Sequence, residues 1–270
     1  MNKLRLVFLT VLLTFHVACS FAQDIQPVGK AIGRDQQGNA VYQVRANGID
    51  IGYKLVGSGE PLVMIMGLGR SADRWSQSIV GPLSKKYQLV ILDNRGMGHS
   101  TADDAVFTVK LFAGDVISLL DALHIKKTNV LGYSMGSVIT QQILLAYPQR
   151  VRKAIVYGTS IDGSNAEDVV KNVVPEDVIV HRQIEAMKHW KTPLDKMRAV
   201  TNPTMVLIGT ADALVGAQDS KTLATTIPAA WLIQFNHGAH GLMDEVPNEF
   251  VRIVSTFLEM NQSVPHTESN

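Results

Sequence analysis

Cysteine is almost missing from this 270-residue chain: Cys19 is the only one. It falls in an N-terminal segment built like a secretory signal, so residues 23–270 carry no disulfide, no reactive thiol and no cysteine-ligated metal. Charge of either sign is also scarce. Charged residues are 18% of the chain, with 25 Lys and Arg against 24 Asp and Glu. The basic residues form no stripe, which argues against nucleic acid as a partner. There is no H-E-x-x-H and no carboxylate cluster at ligand spacing, so no metal is expected. Gly67-Leu68-Gly69 lacks the rest of a dinucleotide fingerprint, and no Gly-Lys-Ser/Thr follows Gly132–Gly136, so no cofactor is expected either. The apolar run from Leu6 to Val17 is broken by Thr10, Thr14 and His16 and falls short of the ~20 residues that a membrane span needs.

That run has a different use. Lys3 and Arg5 precede it, and Ser20-Phe21-Ala22 follows with small residues at the two positions a signal peptidase reads. Residues 1–22 thus read as a secretory signal peptide, and the protein is expected to be exported to the periplasm or the medium. An uncleaved anchor and a lipid-modified Cys19 are the alternatives, the second opposed by His16 at a position where such signals carry Leu. After cleavage no membrane span remains. Residues 23–270 suffice for one large domain whose core needs no disulfide.

Residues 23 to about 38 are polar and read as a loose arm. Ala40 to Arg45 and Ile49 to Leu55 are strand-like and flank Asn47-Gly48, the pair that supplies the positive φ angles of a tight hairpin. Short unbroken apolar runs follow at Pro61 to Met66, Tyr87 to Leu92, Asn129 to Leu131, Lys153 to Tyr157, Thr204 to Ile208 and Trp231 to Phe235. Such runs suit strands buried on both faces. Helical periodicity lies between them, at Asp73 to Lys85, Leu111 to Leu123, Ser137 to Tyr147 and Asn248 to Met260. This alternation predicts an α/β fold with a mainly parallel sheet flanked by helices. Residues 160 to about 200 carry helical pattern (Ala166 to Val174, Pro175 to Met187) without a strand. They predict a small helical lid over the C-terminal edge of the sheet, where open α/β sheets bind ligands; two ordinary crossover helices are the alternative.

Gly132-Tyr133-Ser134-Met135-Gly136 fits G-x-S-x-G between a strand and a helix, the setting that lifts a serine oxygen above a sheet. A hydroxyl needs a base, and the base a third group to orient it. Asp212 follows one buried run and His240 another, in the order Ser, Asp, His. His237 competes as base and Asp162 as acid. His99, Asp93 and Arg95 are read as structural. His181, His189 and Trp190 are placed either on the inner face of the lid or at the surface. Met66, Met97, Met135 and Met243 suggest an adaptable apolar pocket.

From about residue 48 to 260 the chain resembles the α/β-hydrolase superfamily, within it the single-domain serine esterase and lactonase-like members. Asp93-Asn94-Arg95-Gly96-Met97-Gly98-His99-Ser100 is similar to its D-x-R-G-x-G-x-S loop, Ala146-Tyr147-Pro148-Gln149-Arg150-Val151 to its A-x-x-Y-P-x-R-V helix end, and Gly238-Ala239-His240-Gly241-Leu242-Met243 to its segment around the catalytic histidine. The resemblance selects His240 over His237. It implies an oxyanion hole made by the backbone N–H groups of Met135 and of Leu68, in the loop Met66-Gly67-Leu68-Gly69. Met66 stands where the family has His, so the side-chain hydrogen bonds of that loop must be arranged differently. The activity implied is acyl transfer on Ser134, His240 and Asp212, with a small or medium carboxylic ester or lactone as substrate. C–C bond hydrolysis, thioester hydrolysis and peracid formation on the same triad stay open, as does a non-catalytic ligand-binding protein on this scaffold.

Overall fold

The computed structural model describes residues 24–170, 177–228 and 230–261. The signal-like segment 1–22 lies outside the described residues, as does the latter part of the helix expected from Ala166 to Val174. Nine strands form one sheet: β1 (Lys30–Arg34), β2 (Ala40–Ala46), β3 (Ile49–Val56), β4 (Glu60–Ile65), β5 (Tyr87–Leu92), β6 (Thr128–Tyr133), β7 (Val151–Tyr157), β8 (Thr204–Gly209) and β9 (Trp231–Phe235). Their spatial order is β1-β2-β3-β5-β4-β6-β7-β8-β9. The first three pair antiparallel with one another and with β5, and every pairing from β5 through β4 to β9 is parallel.

Alternation within the apolar runs explains why both faces are covered. Leu62, Met64, Leu89 and Ile91 point into one core, and Val63, Ile65, Val90 and Leu92 into the other, none more than 1% exposed. Each such side chain contributes ~1.5–3 kcal/mol by leaving water. Helices α1 (Gln77–Ser84) and, near the C-terminus, α9 (Pro247–Glu259) cover the first core with Ile79, Leu83, Phe250, Val254 and Phe257. Helices α2 (Val109–Ala122) and α3 (Met135–Ala146) cover the second with Phe112, Val116, Val138 and Ile143. Thr108 caps α2, its hydroxyl oxygen accepting from the Leu111 N–H at 3.0 Å.

Between β7 and β8 the described residues form α4 (Ala166–Val170), α5 (Val178–Lys188) and α6 (Leu194–Met197) and no strand, as their pattern predicts. The buried side chain of Gln141 on α3 ties down both ends of this insertion. Its Nε2 donates to Thr159 Oγ1 at 2.7 Å and to the Ser160 carbonyl at 3.0 Å, and its Oε1 accepts from Thr192 Oγ1 at 2.7 Å. Two further helices complete the described fold with the terminal α9: α7 (Gln218–Thr226) and α8 (Leu242–Glu245).

Three expectations need correction. Of the expected loose arm, residues 24–38 are held in place. β1 pairs with β2, and Tyr53 Oη both accepts from the Val28 N–H at 2.8 Å and donates to its carbonyl at 2.7 Å. β1 escapes sequence reading because it is exposed along nearly its whole length and so has no apolar period. The helix expected from Asp73 to Lys85 is split into a 3₁₀ turn at Ala72–Arg74 and α1, since Trp75 and Ser76 take extended backbone. α7 was not anticipated. Its sequence QDSKTLATT is rich in Thr and polar residues, and only Ser220, Leu223, Ala224 and Thr226 are buried.

Candidate active site

The C-terminal ends of β4, β6, β8 and β9 open on one edge of the sheet, and the segments that leave them carry Leu68, Ser134, Asp212 and His240 in turn. Ser134 sits alone between β6 and α3 with φ 54° and ψ −119°, a conformation that L-residues avoid and that marks stored strain. Close packing forces the turn. A Cβ on Gly136 would lie 2.1 Å from the Ile65 carbonyl oxygen, and one on Gly132 would lie 2.2 Å from that of Gly136. The Ser134 N–H donates to the Tyr157 carbonyl at 2.9 Å, and its own carbonyl accepts from the Ser137 N–H at 2.8 Å. Both backbone groups are thus committed, and the hydroxyl makes no hydrogen bond to protein among the described residues.

Asp212 and His240 form a pair. Asp212 Oδ2 lies 2.7 Å from His240 Nδ1, with the carboxylate fully buried and the ring 11% exposed. Asp212 Oδ1 accepts from the N–H groups of Leu214 at 2.9 Å and Val215 at 3.1 Å, which fixes the carboxylate. The loop bearing the histidine is anchored from β7, where the Tyr157 hydroxyl donates to the His240 carbonyl at 2.6 Å. Burial holds the Tyr157 phenol far above the ordinary tyrosine range, so it stays a neutral donor. Tyr133 stacks between the two, 4.8 Å from the Tyr157 ring and 5.0 Å from the His240 ring, and burial pushes its phenol up to about 12. The Ser134 hydroxyl and the His240 ring share no hydrogen bond in this arrangement, a contact that in unliganded hydrolases commonly tightens only when substrate arrives.

The rivals fall elsewhere. His237 is exposed at a turn with φ 59°, its N–H donating to Thr210 Oγ1 at 2.8 Å. Asp162 faces Lys191 at 3.3 Å rather than a histidine. Asp93 accepts from the Ala72 N–H at 2.6 Å and the His99 N–H at 2.8 Å, and Arg95 is buried against Asp115 and Asp103, so both are structural as read. His181 and His189 are exposed, and Trp190 donates from its indole to Thr192 Oγ1 at 3.3 Å. Among the described residues no group of three or more His, Cys, Asp or Glu is placed to hold a metal, and no helix is long and apolar enough to cross a membrane.

A cavity of about 360 Å³ lies over Ser134. Leu68, Met135, Val170, Met187, Leu214 and Val215 form its apolar wall, and Ser160, Asp162, Ser164, Asn165 and Asp219 its polar one. Among the described residues no Lys, Arg or His lines it. Of the four methionines singled out, only Met135 reaches the cavity; Met66 and Met243 are buried in the core on the other face of the sheet. The N–H groups of Leu68 and Met135 donate to no protein acceptor among the described residues. Gly67 brings their two segments together, for a Cβ there would lie 3.0 Å from Ser134 Cβ. Sequence reasoning missed Met187, Val215, Asp219 and the anchor Tyr157. Position on an unpaired insertion could have pointed to Met187; nothing local distinguishes the others.

The sequence profile of the alpha/beta hydrolase fold matches residues 60–178. A mouse protein named serine hydrolase BPHL is 23% identical over 249 residues, covering 80% of this chain and 86% of its own. The 2-hydroxymuconate semialdehyde hydrolase of Pseudomonas sp. CF600 is 25% identical over 262 residues, covering 80% and 93%. Among solved structures, an alpha/beta hydrolase fold protein from Chitinophaga pinensis superposes with a TM-score of 0.77 at 23% identity, covering 84% of this chain and all of that one.

Proposed function

Because the chain belongs to the α/β-hydrolase superfamily, we propose that it is a serine hydrolase that cleaves small or medium carboxylic esters or lactones through an acyl-enzyme on Ser134. The observation that carries this reading is the buried 2.7 Å Asp212–His240 pair on the sheet edge where Ser134 floors a cavity. In the proposed reaction Ser134 Oγ attacks the carbonyl carbon and its proton passes to His240 Nε2. Asp212 keeps the proton on Nδ1 and stabilises the imidazolium. The free N–H groups of Leu68 and Met135 receive the developing oxyanion, each worth about 10²–10³ in turnover. His240 then protonates the leaving alcohol, and a water activated by the same ring releases the acid.

The apolar wall of the cavity supports an apolar acyl or alcohol part, and the carboxylates of Asp162 and Asp219 on its polar wall disfavour an anionic substrate. Residues 160–200 act in this reading as the lid, and residues 1–22 direct export. The likeness to 2-hydroxymuconate semialdehyde hydrolase favours a second reading, C–C bond hydrolysis on the same three residues.

The test is fluorophosphonate labelling together with hydrolysis of p-nitrophenyl esters of graded chain length. Both are expected from the wild type and both should vanish in Ser134→Ala. Labelling without turnover of any ester or lactone would turn the reading towards C–C substrates, and the absence of both would sink it.

A further inference from the structure

We infer that Gln183, on α5 of the insertion, is a positioning residue that sets the oxyanion donor of Leu68; this rests on the reading of Leu68 and Met135 as that donor pair. The stretch Met66–Gly69 that follows β4 carries no polar side chain of its own. Met66 is fully buried and offers no strong hydrogen bond, and residues 67 and 69 are glycines. Two outside residues fix it instead. Asn94 Nδ2 donates to the Met66 carbonyl at 2.8 Å, and Gln183 Oε1 accepts from the Gly69 N–H at 2.8 Å across 114 residues of chain. Leu68 lies between these two clamps. Gly69 has φ 68°, so without an acceptor for its N–H the peptide bonds around it can rotate, and rotation turns the Leu68 N–H away from Ser134.

The other half of the Gln183 amide argues that the side chain is held for its oxygen. Gln183 is 0% exposed, and its Nε2 has no hydrogen-bond partner among the described residues. A buried unpaired donor costs stability. An apolar side chain of the same length would avoid that cost, and Gly69 is exposed enough for water to take its N–H.

α5 therefore touches both substrate space and oxyanion hole. Met187, one turn beyond Gln183 and on the same face of the helix, lines the cavity. Next to Gln183 in the middle of the helix, Arg182 donates to the Asp103 carbonyl at 2.7 Å and stacks 3.8 Å over Phe107, which seats α5 on the body of the domain. Substrate pressed against Met187 and an ordered Leu68 N–H are linked through one rigid turn, so a well-seated insertion is a condition for a competent oxyanion hole.

The experiment compares the mature protein with Gln183→Met on a p-nitrophenyl ester. It also uses an alkyl trifluoromethyl ketone, to whose carbonyl carbon Ser134 Oγ adds while the proton passes to His240 and the ketone oxygen becomes the oxyanion. The expected result is kcat lowered about tenfold or more, KM within about twofold, ketone affinity weakened by the same factor as kcat/KM, and Tm at or above wild type. Unchanged kcat and ketone affinity would overturn the inference, as would a loss of Tm and activity together with ketone affinity intact. Should the variant fold poorly, hydrogen exchange in the wild type reads the same contact. Protection of the Gly69 amide comparable with β4 supports it, and exchange at the solvent rate overturns it. A wild type inert to both ester and fluorophosphonate overturns the serine-hydrolase reading itself, whereas an active wild type with an indifferent Gln183→Met overturns only the role of Gln183.

Discussion

Asp212 and His240 meet across 28 residues of chain at 2.7 Å, with the carboxylate completely enclosed and both its oxygens hydrogen-bonded. The pairing fixes which ring nitrogen of His240 carries the proton, and so leaves Nε2 as the basic one. Asp212→Asn keeps the shape and reverses that choice. Steady-state kinetics on the best p-nitrophenyl ester should show kcat lower by about 10³–10⁴ with little change in KM. A loss below about tenfold would mean that another group orients the histidine.

The strained turn at Ser134 depends on the absence of side chains around it. Gly136→Ala would place a Cβ 2.1 Å from a strand carbonyl of β4, backbone that cannot step aside. Thermal or urea unfolding should register a loss of at least about 3 kcal/mol, or no soluble protein. Ser134→Ala removes only a hydroxyl that has no protein partner, and should unfold within about 0.5 kcal/mol of wild type. Comparing the two separates the cost of the turn from the cost of the nucleophile.

Charge in the cavity should select against anions. Asp162 and Asp219 both line it, and among the described residues no cation does, the exposed Lys191 that pairs with Asp162 at 3.3 Å lying outside the lining. Asp219 is committed to the Ser160 hydroxyl at 2.9 Å and the Ile161 N–H at 3.0 Å, so it stays in place as a fixed negative charge. A substrate carboxylate held in the same partly exposed cavity should lose about 1 kcal/mol, roughly tenfold in kcat/KM relative to a neutral ester of equal length. Asp162→Asn should narrow that ratio, and added salt should narrow it further. Equal kcat/KM for the two esters at low salt would remove the charge argument.

The N-terminal hairpin is joined to the domain by Lys54, 2.8 Å from both Asp35 and Asp73. Burial works against the charge on Asp35, but hydrogen bonds from Lys54 and Asn39 outweigh it and hold the carboxyl below its ordinary value. A depressed folded-state pKa gives stability that is present above the unfolded value and lost as pH falls through the folded one. For Asp35 that window lies below about pH 4. Lys54 is held above its ordinary value by the same pair, so its contribution fades only in strong alkali. Lys54→Met leaves Asp35 buried without its cation and should cost about 3 kcal/mol at neutral pH. Because the unpaired carboxyl then prefers its proton, the deficit against wild type should shrink as the pH of the unfolding series is lowered towards 3. A deficit independent of pH would show that Lys54 acts by packing alone.

Some of this architecture can be read without a fold. Runs such as PLVMIM and YQLVIL announce strands because alternate residues enter two different cores and both must be apolar. Asn47-Gly48 announces a hairpin because its two residues must take positive φ, as they do at 46° and 80°. Ser134 announces itself because the whole G-x-S-x-G turn is written in five consecutive residues between a strand and a helix, even though Gly136 is there for a contact with Ile65 of β4. These signals are local, and local backbone geometry writes them.

Other features leave no local mark. β1 is exposed and acquires its strand from the hydrogen bonds of β2. α7 has poor helix propensity and is held by the residues it buries. The choice of Asp212 over Asp162 depends on which loop end faces His240, and nothing within either loop encodes that distance. The walls of the cavity come from residues more than 140 positions apart, Leu68 against Leu214 and Val215, and Gln183 reaches Gly69 across 114. By itself the sequence determined the strand–helix rhythm, the serine turn and the order of the three proposed catalytic side chains, because each is written as a short pattern or as an order along the chain. Only the tertiary structure decided which acid meets the histidine, what surrounds the substrate space and what braces the loop at Leu68, because those depend on where the sheet brings distant loops together.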